Sequence, residues 1–215
     1  MTHDGLELRG VSIKVGDATL VDGLDLCVAP GEVVTVMGPS GSGKSSLLAF
    51  IGGFLDPAFA ASGEILLDGA SLAALPAQGR RIGILFQDDL LFPHLSVRGN
   101  LAFGLTQDVR GRAARLARVD EALEQAGLEG FRDRDPATLS GGQRARVALM
   151  RTLLAGPKAL LLDEPFGKLD RPLRKDFREF VFEHARMRGL PTLLVTHDAE
   201  DAEAAGGRVV DLEAA

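Results

Sequence analysis

The chain has 215 residues, 46% of them hydrophobic and 25% charged, a composition that excludes a disordered, collagen-like or coiled-coil protein. Its net charge of −6 argues against non-specific nucleic-acid binding as the main activity, because such binding rests on positive charge. The single cysteine excludes an intrachain disulfide. The apolar runs are far shorter than the roughly 20 residues of a membrane span, and residues 1–5 lack the features of a signal peptide. We therefore expect a soluble, cytoplasmic protein.

Short β-type runs alternate with helical patterns along the chain, which predicts an α/β fold with a mostly parallel sheet. Residues 6–26 differ, because their short apolar runs are broken by Gly-Asp and Asp-Gly turns that predict an antiparallel β region. A mostly helical segment, residues 88–150, is expected to be an inserted subdomain, so that residues 1–87 and 151–215 form the α/β core. The predicted core elements are strands at 33–37, 65–67, 82–86, 159–162 and 192–195 and a helix at 45–51.

The segment from Gly38 to Ser45 reads G-P-S-G-S-G-K-S and matches the phosphate-loop pattern G-x-x-x-x-G-K-[ST]. It follows a predicted buried strand and precedes a predicted helix, which is the context that the mechanism requires. Its glycines let successive backbone N–H groups point at phosphate oxygens, and the helix start favours negative charge. We expect Lys44 to meet the β- and γ-phosphates of a nucleoside triphosphate and the Ser45 hydroxyl to bind Mg²⁺.

Two carboxylates, Asp163 and Glu164, follow the apolar run Ala159–Leu162. A charge at the end of a buried strand is costly unless a cation or another partner offsets it. We expect Asp163 to hold Mg²⁺, directly or through water, and Glu164 to polarise the attacking water. The alternative is a strand that ends in a polar turn before a proline, and the phosphate loop upstream makes that alternative weaker.

A third motif, residues 139–143, reads L-S-G-G-Q and precedes a helical run. Ser140 can cap that helix, and the free N–H groups of the helix start then form a second anion site. One nucleotide does not need two such sites from a single chain. The simplest explanation is that this motif closes over a nucleotide that another copy binds.

These motifs, with Gln87 and His197 at their places in the order, resemble the nucleotide-binding subunit of an ATP-binding cassette (ABC) transporter almost from end to end. The resemblance implies a P-loop NTPase core and a head-to-tail dimer with two ATP molecules between the Lys44 loop of one chain and the Ser140 motif of the other. It also implies that Gln87 senses Mg²⁺ and water and links to the membrane subunit, and that His197 contacts the γ-phosphate.

The resemblance assigns four catalytic residues: Glu164, His197, Gln87 and Lys44. The metal ligands that it implies are Ser45, Gln87 and Asp163. The residues expected to bind the nucleotide are Gly38, Pro39, Ser40, Gly41, Ser42, Gly43, Lys44, Ser45, Ser46, Ser140, Gly141, Gly142, Gln143 and Asp170.

Three features depart from the family pattern. The family usually has an aromatic residue that stacks on adenine near the position of Val15, whereas the first aromatic residue here is Phe50. We therefore expect weaker ATP affinity and loose base discrimination. Lys168 stands where the family generally has a small residue, and it is expected to alter communication between the two sites. The sequence ends soon after His197, so we expect no C-terminal regulatory domain.

The leading hypothesis is an ATPase that drives transport through a separate membrane permease, with import favoured by Glu164-Pro165-Phe166 and by residues 92–95. The partners expected are a second copy of the chain, integral membrane permease subunits that hold this chain at the inner face of the cell membrane, and a solute-binding protein, with no nucleic acid. One alternative is a soluble ABC ATPase that acts on nucleic acid or ribosomes. Two others are a nucleotide-binding regulator with little turnover and a P-loop kinase, and the latter leaves the Ser140 motif and His197 without a role.

Overall fold

The computed structural model describes residues 4–212. The expectation that the chain has no signal peptide rests partly on residues 1–3, which lie outside the described residues. Its strands are β1 (Leu6–Val15), β2 (Ala18–Val28), β3 (Val33–Met37), β4 (Phe59–Leu67), β5 (Ala70–Ser71), β6 (Ile82–Leu85), β7 (Ala159–Asp163), β8 (Thr192–Val195) and β9 (Val209–Asp211). Its helices are α1 (Lys44–Gly52), α2 (Val97–Gly104), α3 (Arg112–Gln125), α4 (Gly141–Leu154), α5 (Arg171–Met187) and α6 (Ala199–Ala205).

The strands form two sheets, one of four strands in the order β2-β1-β4-β5 and one of five strands in the order β6-β7-β8-β3-β9. The pairs β1–β2, β1–β4 and β4–β5 are antiparallel, whereas β7–β8, β3–β8 and β3–β9 are parallel. The predicted α/β fold with a mostly parallel sheet and an N-terminal antiparallel region is therefore confirmed.

The central strands of the parallel sheet are apolar on both faces, as expected for strands covered on both sides. All four residues of β8 and the first four of β7 are buried. Alternate residues of these two strands belong to a core that also takes in Val34 and Val36 of β3, Leu47 and Ile51 of α1 and inward-facing residues of β1 and β2. Because these strands are buried, they appear in the sequence as short apolar runs, and such runs predict their position closely.

Strand β4 is longer than predicted, because it begins at Phe59 and the sequence indicated only residues 65–67. Residues 60–64 are exposed and show no alternation of apolar and polar side chains, so the sequence carries no strand signal there. Pairing with β1 extends the strand through these residues.

The chain divides into two compact units. The first contains residues 1–84, 158–164 and 178–215, and the second contains residues 85–157 and 165–177. The second unit extends beyond residues 88–150 on both sides. Among the described residues, no helix is both long enough and apolar enough to cross a bilayer.

Candidate functional site

The carboxyl ends of three parallel strands position the first group of candidate residues. In the register of the sheet, Val36 of β3 and Asp163 of β7 both lie opposite Val195 of β8. Parallel strands place their carboxyl ends at one edge of a sheet, which is where open α/β sheets bind ligands. The phosphate loop after β3, the carboxylates at the end of β7 and His197 after β8 therefore meet at that edge.

The phosphate loop has a backbone that only glycine accommodates at two positions. A side chain at Gly43, where φ is 88°, would place its Cβ 2.8 Å from the Cβ of Leu20. A Cβ at Gly38 would lie 2.5 Å from the carbonyl oxygen of Leu212. The Lys44 ammonium is buried and donates to the carbonyl oxygens of Gly38 (2.8 Å) and Pro39 (2.7 Å), so the lysine itself holds the loop.

Two side-chain oxygens, from Ser45 and Asp163, lie next to each other at the edge of the sheet. The Ser45 hydroxyl donates to Oδ1 of Asp163 at 3.1 Å. Burial raises the pKa of Asp163, and the charge of Glu164 raises that pKa further. Residues 4–212 contain no cluster of three or more His, Cys, Asp and Glu side chains that could hold a metal alone. The pair fits Mg²⁺, which proteins bind through one or two carboxylates together with substrate phosphates.

Glu164 and His197 contact each other directly. Oε1 of Glu164 lies 3.1 Å from Nδ1 of His197. The Glu164 backbone has φ of 46°, a left-handed conformation that is uncommon for residues other than glycine and that often marks functional sites. Its N–H donates to the carbonyl oxygen of Val195 at 2.9 Å, which fixes this turn to β8. The two predicted catalytic residues of the sheet edge are thus brought together.

A buried polar network supports the turn that carries His197. The Thr196 hydroxyl donates to Oδ2 of Asp201 at 3.1 Å and accepts from the N–H of Asp198 at 3.1 Å. Oδ1 of Asp201 lies 3.3 Å from Nη1 of Arg178, and both side chains are buried. Sequence reasoning did not identify these residues. The first turn of α6 contains acidic residues, but nothing in the pattern indicates Arg178 on α5 as their partner.

A cavity of about 490 Å³ lies beside the phosphate loop in the first unit. Its polar wall consists of loop residues and Glu164, and its apolar wall consists of Val15, Leu20 and Phe59. The polar wall includes the predicted site residues Ser40, Gly41, Gly43, Lys44, Ser45 and Ser46. The size lies within the range of small-molecule sites.

The Ser140 motif begins α4, in the second unit. The Ser140 hydroxyl accepts from the N–H of Gln143 at 3.3 Å, and Oε1 of Gln143 accepts from the N–H of Ser140 at 2.9 Å. This reciprocal pair is a capping box, so the prediction that Ser140 caps a helix is confirmed. Arg144 braces the motif by donating to the carbonyl oxygen of Leu139 at 2.8 Å and to Asp89 at 3.1 Å.

The remaining candidate residues also belong to the second unit. Gln87, Gly141 and Lys168 line one groove there. Lys168 forms an ion pair with Asp88, the residue after Gln87, and the sequence gave no sign of this contact. Asp170 accepts from the N–H of Leu173 at 3.1 Å and so contributes to the start of α5.

Comparison with known proteins shows the family. Residues 21–167 match the model of the ABC transporter family. The chain is 49% identical over 197 residues to the ABC transporter ATP-binding protein YnjD of Escherichia coli K12, and the match covers 92% of this chain and 90% of that protein. The chain belongs to the ABC transporter ATP-binding family, whose members are ATPases that drive transport.

Two import proteins are among its relatives. The chain is 41% identical over 208 residues to the Fe(3+) ions import ATP-binding protein FbpC 1 of Haemophilus influenzae, covering 97% of this chain and 62% of that protein. It is 43% identical over 204 residues to the spermidine/putrescine import ATP-binding protein PotA of Oleidesulfovibrio alaskensis, covering 95% of this chain and 54% of that protein. The chain thus spans between half and two thirds of these two relatives. The predicted class, the ATP-binding subunit of an ABC transporter, is confirmed.

Proposed function

We propose that this chain binds MgATP at the edge of the parallel sheet and hydrolyses it in a head-to-tail dimer that drives solute import through a separate permease. The observation that carries the proposal is the meeting of three strand ends, which places Ser45 at 3.1 Å from Asp163 and Glu164 at 3.1 Å from His197. In this proposal the α/β core of residues 1–87 and 151–215 binds the nucleotide, and the helical subdomain of residues 88–150 carries the Ser140 motif.

Nucleotide binding is assigned to the phosphate loop. The backbone N–H groups of residues 40–46 hold the phosphates, and Lys44 exchanges its contacts with the loop carbonyls for phosphate oxygens. Ser45, Asp163 and Gln87 are the residues that would hold Mg²⁺, which neutralises phosphate charge when bound.

Hydrolysis is assigned to Glu164 and His197. Glu164 accepts a proton from the attacking water, and His197 orients the carboxylate and meets the γ-phosphate. Because phosphoryl transfer needs little covalent chemistry from the protein, positioning and electrostatic stabilisation supply most of the rate.

The second copy completes the site. Its Ser140, Gly141, Gly142 and Gln143 present a capped helix start, whose free N–H groups and dipole favour the γ-phosphate. Asp170, the residue before α5, is assigned to nucleotide binding as well. Hydrolysis breaks the bond between the β- and γ-phosphates, and release of inorganic phosphate then removes the charge that holds the two copies together, so the dimer opens.

The transport assignment rests on the relatives. The iron and polyamine ATPases named above are described as import proteins, which favours import here. We assign the groove at Gln87 to the contact with a permease, which places the chain at the inner face of the cell membrane. A solute-binding protein is the further partner of such an importer.

The test has two arms. Glu164→Gln with saturating MgATP is expected to form a stable dimer and to release phosphate far more slowly than the unmodified chain, whereas a variant that stays monomeric contradicts the ATP-sandwiched dimer. Gentle solubilisation of native membranes with the tagged chain is expected to co-purify a multi-span protein in stoichiometric amount. Recovery of ribosomes or nucleic acid instead would favour the soluble ATPase alternative.

A further inference from the structure

One aromatic side chain enters the nucleotide cavity from a strand remote in sequence from the phosphate loop. The cavity beside that loop is lined at its apolar wall by Val15, Leu20 and Phe59, one residue each from β1, β2 and β4. All the polar side chains of its lining come from the phosphate loop and Glu164. The cavity therefore joins an anion-binding wall to an apolar wall.

Strand register sets the position of Phe59. Phe59 is the Cα partner of Val15 in the antiparallel pair β1–β4, so the two side chains project from the same face of the sheet. Asp56 fixes the start of β4, because its side chain accepts from the N–H of Ala58 at 2.8 Å and its carbonyl accepts from the N–H of Phe59 at 3.0 Å. The aromatic residue that is missing at position 15 is thus supplied by its cross-strand neighbour.

The surroundings leave part of the ring available to a ligand. Phe59 is half-buried and packs against the hydrophobic core, as does Leu20. Contact with the core restrains the ring, so little conformational entropy is lost when a flat ligand packs on its exposed part. Leu20 also lies under the phosphate loop, where a Cβ on Gly43 would be 2.8 Å from its Cβ. The apolar wall and the loop are therefore contiguous.

We propose that Phe59 is the platform on which the base of the bound nucleoside triphosphate packs, in place of an aromatic residue at position 15. The inference rests on the proposed function, since it takes the triphosphate to lie in the Lys44 loop. A nucleotide held there by its phosphates has its base at the apolar wall of the same cavity. Stacking on an aromatic side chain accepts any base, because every base has a π-face.

The proposal changes one expectation drawn from the sequence. The absence of an aromatic residue before Phe50 predicted both weaker ATP affinity and loose base discrimination. With Phe59 in the cavity the stacking contact is retained, so only the loose discrimination remains. No side chain of the apolar wall carries a polar group that could distinguish adenine from guanine.

Calorimetric titration of the full chain with MgATP and with inorganic tripolyphosphate separates the base contact from the phosphate contact. Phe59→Leu, which keeps an apolar side chain, is expected to weaken ATP binding about ten-fold, as loss of one stacked base does. Tripolyphosphate binding should not change. Phe54→Leu is the matched control, because Phe54 is exposed and lies outside the cavity lining. Adding Val15→Phe to Phe59→Leu is expected to restore ATP affinity.

The chain has no Trp and no Tyr, so one introduced Trp is a clean fluorescent reporter. ATP is expected to quench the fluorescence of Phe59→Trp much more strongly than tripolyphosphate does, and Phe54→Trp should respond weakly to both. Equal ATP affinity in Phe59→Leu and the unmodified chain, or equal quenching by both ligands, would overturn the assignment of Phe59. Failure of the unmodified chain to bind either ligand would instead overturn the proposed function, and the Phe59 assignment with it.

Discussion

The candidate residues of the two units are held in place in different ways. In the first unit, the register of buried parallel strands brings the functional groups into mutual contact, as in the Ser45–Asp163 and Glu164–His197 pairs. In the second unit, the Ser140 motif satisfies its own polar groups through a capping box, and Ser140 itself is exposed at the start of α4. Folding of one chain thus assembles the first group, whereas the second is a preformed surface that the proposed function assigns to the nucleotide of a second copy.

The largest expected effect is on turnover in the first unit. Glu164→Gln should lower the rate of phosphate release by about 10²–10⁴-fold, the range for loss of a positioned general base, while ATP binding is retained. Glu203→Gln, an exposed change on α6, is the control and should leave the rate unaltered. Steady-state phosphate release and ATP titration provide the measurement. Near-normal turnover in Glu164→Gln would remove this residue from the mechanism.

The buried network under His197 is expected to matter for stability. Asp201→Ala leaves the buried guanidinium of Arg178 without its buried partner, which should lower the free energy of unfolding by about 3–5 kcal/mol. Glu200→Ala removes the exposed partner of the same guanidinium and should cost less than about 1 kcal/mol. Urea denaturation of both variants measures the difference. Equal losses would mean that the buried pair does not support the turn.

Substitution of Ser140 can separate its role as a helix cap from its proposed role in ATP hydrolysis. Ser140→Ala and Ser96→Ala both remove the capping side chain of a helix in the second unit, so each should cost about 1 kcal/mol of unfolding free energy. Only Ser140→Ala should lower ATP turnover, by about ten-fold or more, because only this helix start is assigned to the γ-phosphate. Thermal unfolding and phosphate release are measured in parallel. A similar turnover for the two variants would assign Ser140 to structure alone.

The ionised carboxylate of Asp163 is expected to lower the free energy of unfolding, although the proposed function needs it for metal binding. Because burial raises its pKa, the folded chain holds this proton more tightly than the unfolded chain, so the ionised carboxylate costs stability at pH 7. The cost fades as the pH falls through the raised pKa towards the ordinary value of 3.8. Asp163→Asn should therefore raise the free energy of unfolding at pH 7, by an amount that shrinks in acid, while MgATP turnover falls.

Urea denaturation without nucleotide at several pH values measures this effect. Asp22→Asn, at an exposed position, controls for the loss of one negative charge. A loss of stability in Asp163→Asn at pH 7 would show that the ionised carboxylate is favoured by the fold.

The smallest effect is expected at the Lys168–Asp88 ion pair. Both side chains are more than half exposed, so a double-mutant cycle of Lys168→Ala and Asp88→Ala should give a coupling of less than about 1 kcal/mol in the unfolding free energy. If Lys168→Ala changes ATP turnover by more than this small loss of stability can explain, the result would support the expected influence of Lys168 on communication between the two sites.

The sequence predicted the elements that are both buried and local. The predicted strand at 33–37 agrees with β3, and that at 192–195 agrees with β8, because compact apolar runs between turn residues carry their own signal. The phosphate loop and the carboxylates were singled out for the same reason, since each directly follows such a run, whereas His197 was assigned from the family resemblance.

The contacts that the sequence did not predict join residues remote along the chain. Phe59 reaches the cavity because β4 pairs with β1 through exposed residues that show no alternation. Lys168 meets Asp88, and Arg178 meets Asp201, through tertiary packing that no short pattern encodes. The expectation of weaker ATP affinity considered only the residues before Phe50, where an aromatic side chain is absent. Strand pairing, however, decides which side chains share a face of the sheet.

The most direct test of the account is complementation between two chains of low activity. In a head-to-tail dimer, mixing Lys44→Ala with Ser140→Ala creates one intact site from Lys44 of one copy and Ser140 of the other. Phosphate release by the equimolar mixture is expected to recover to about a quarter of the unmodified rate, from random pairing of the two chains. A mixture no more active than the average of its components would contradict the central claim that a second copy completes the site.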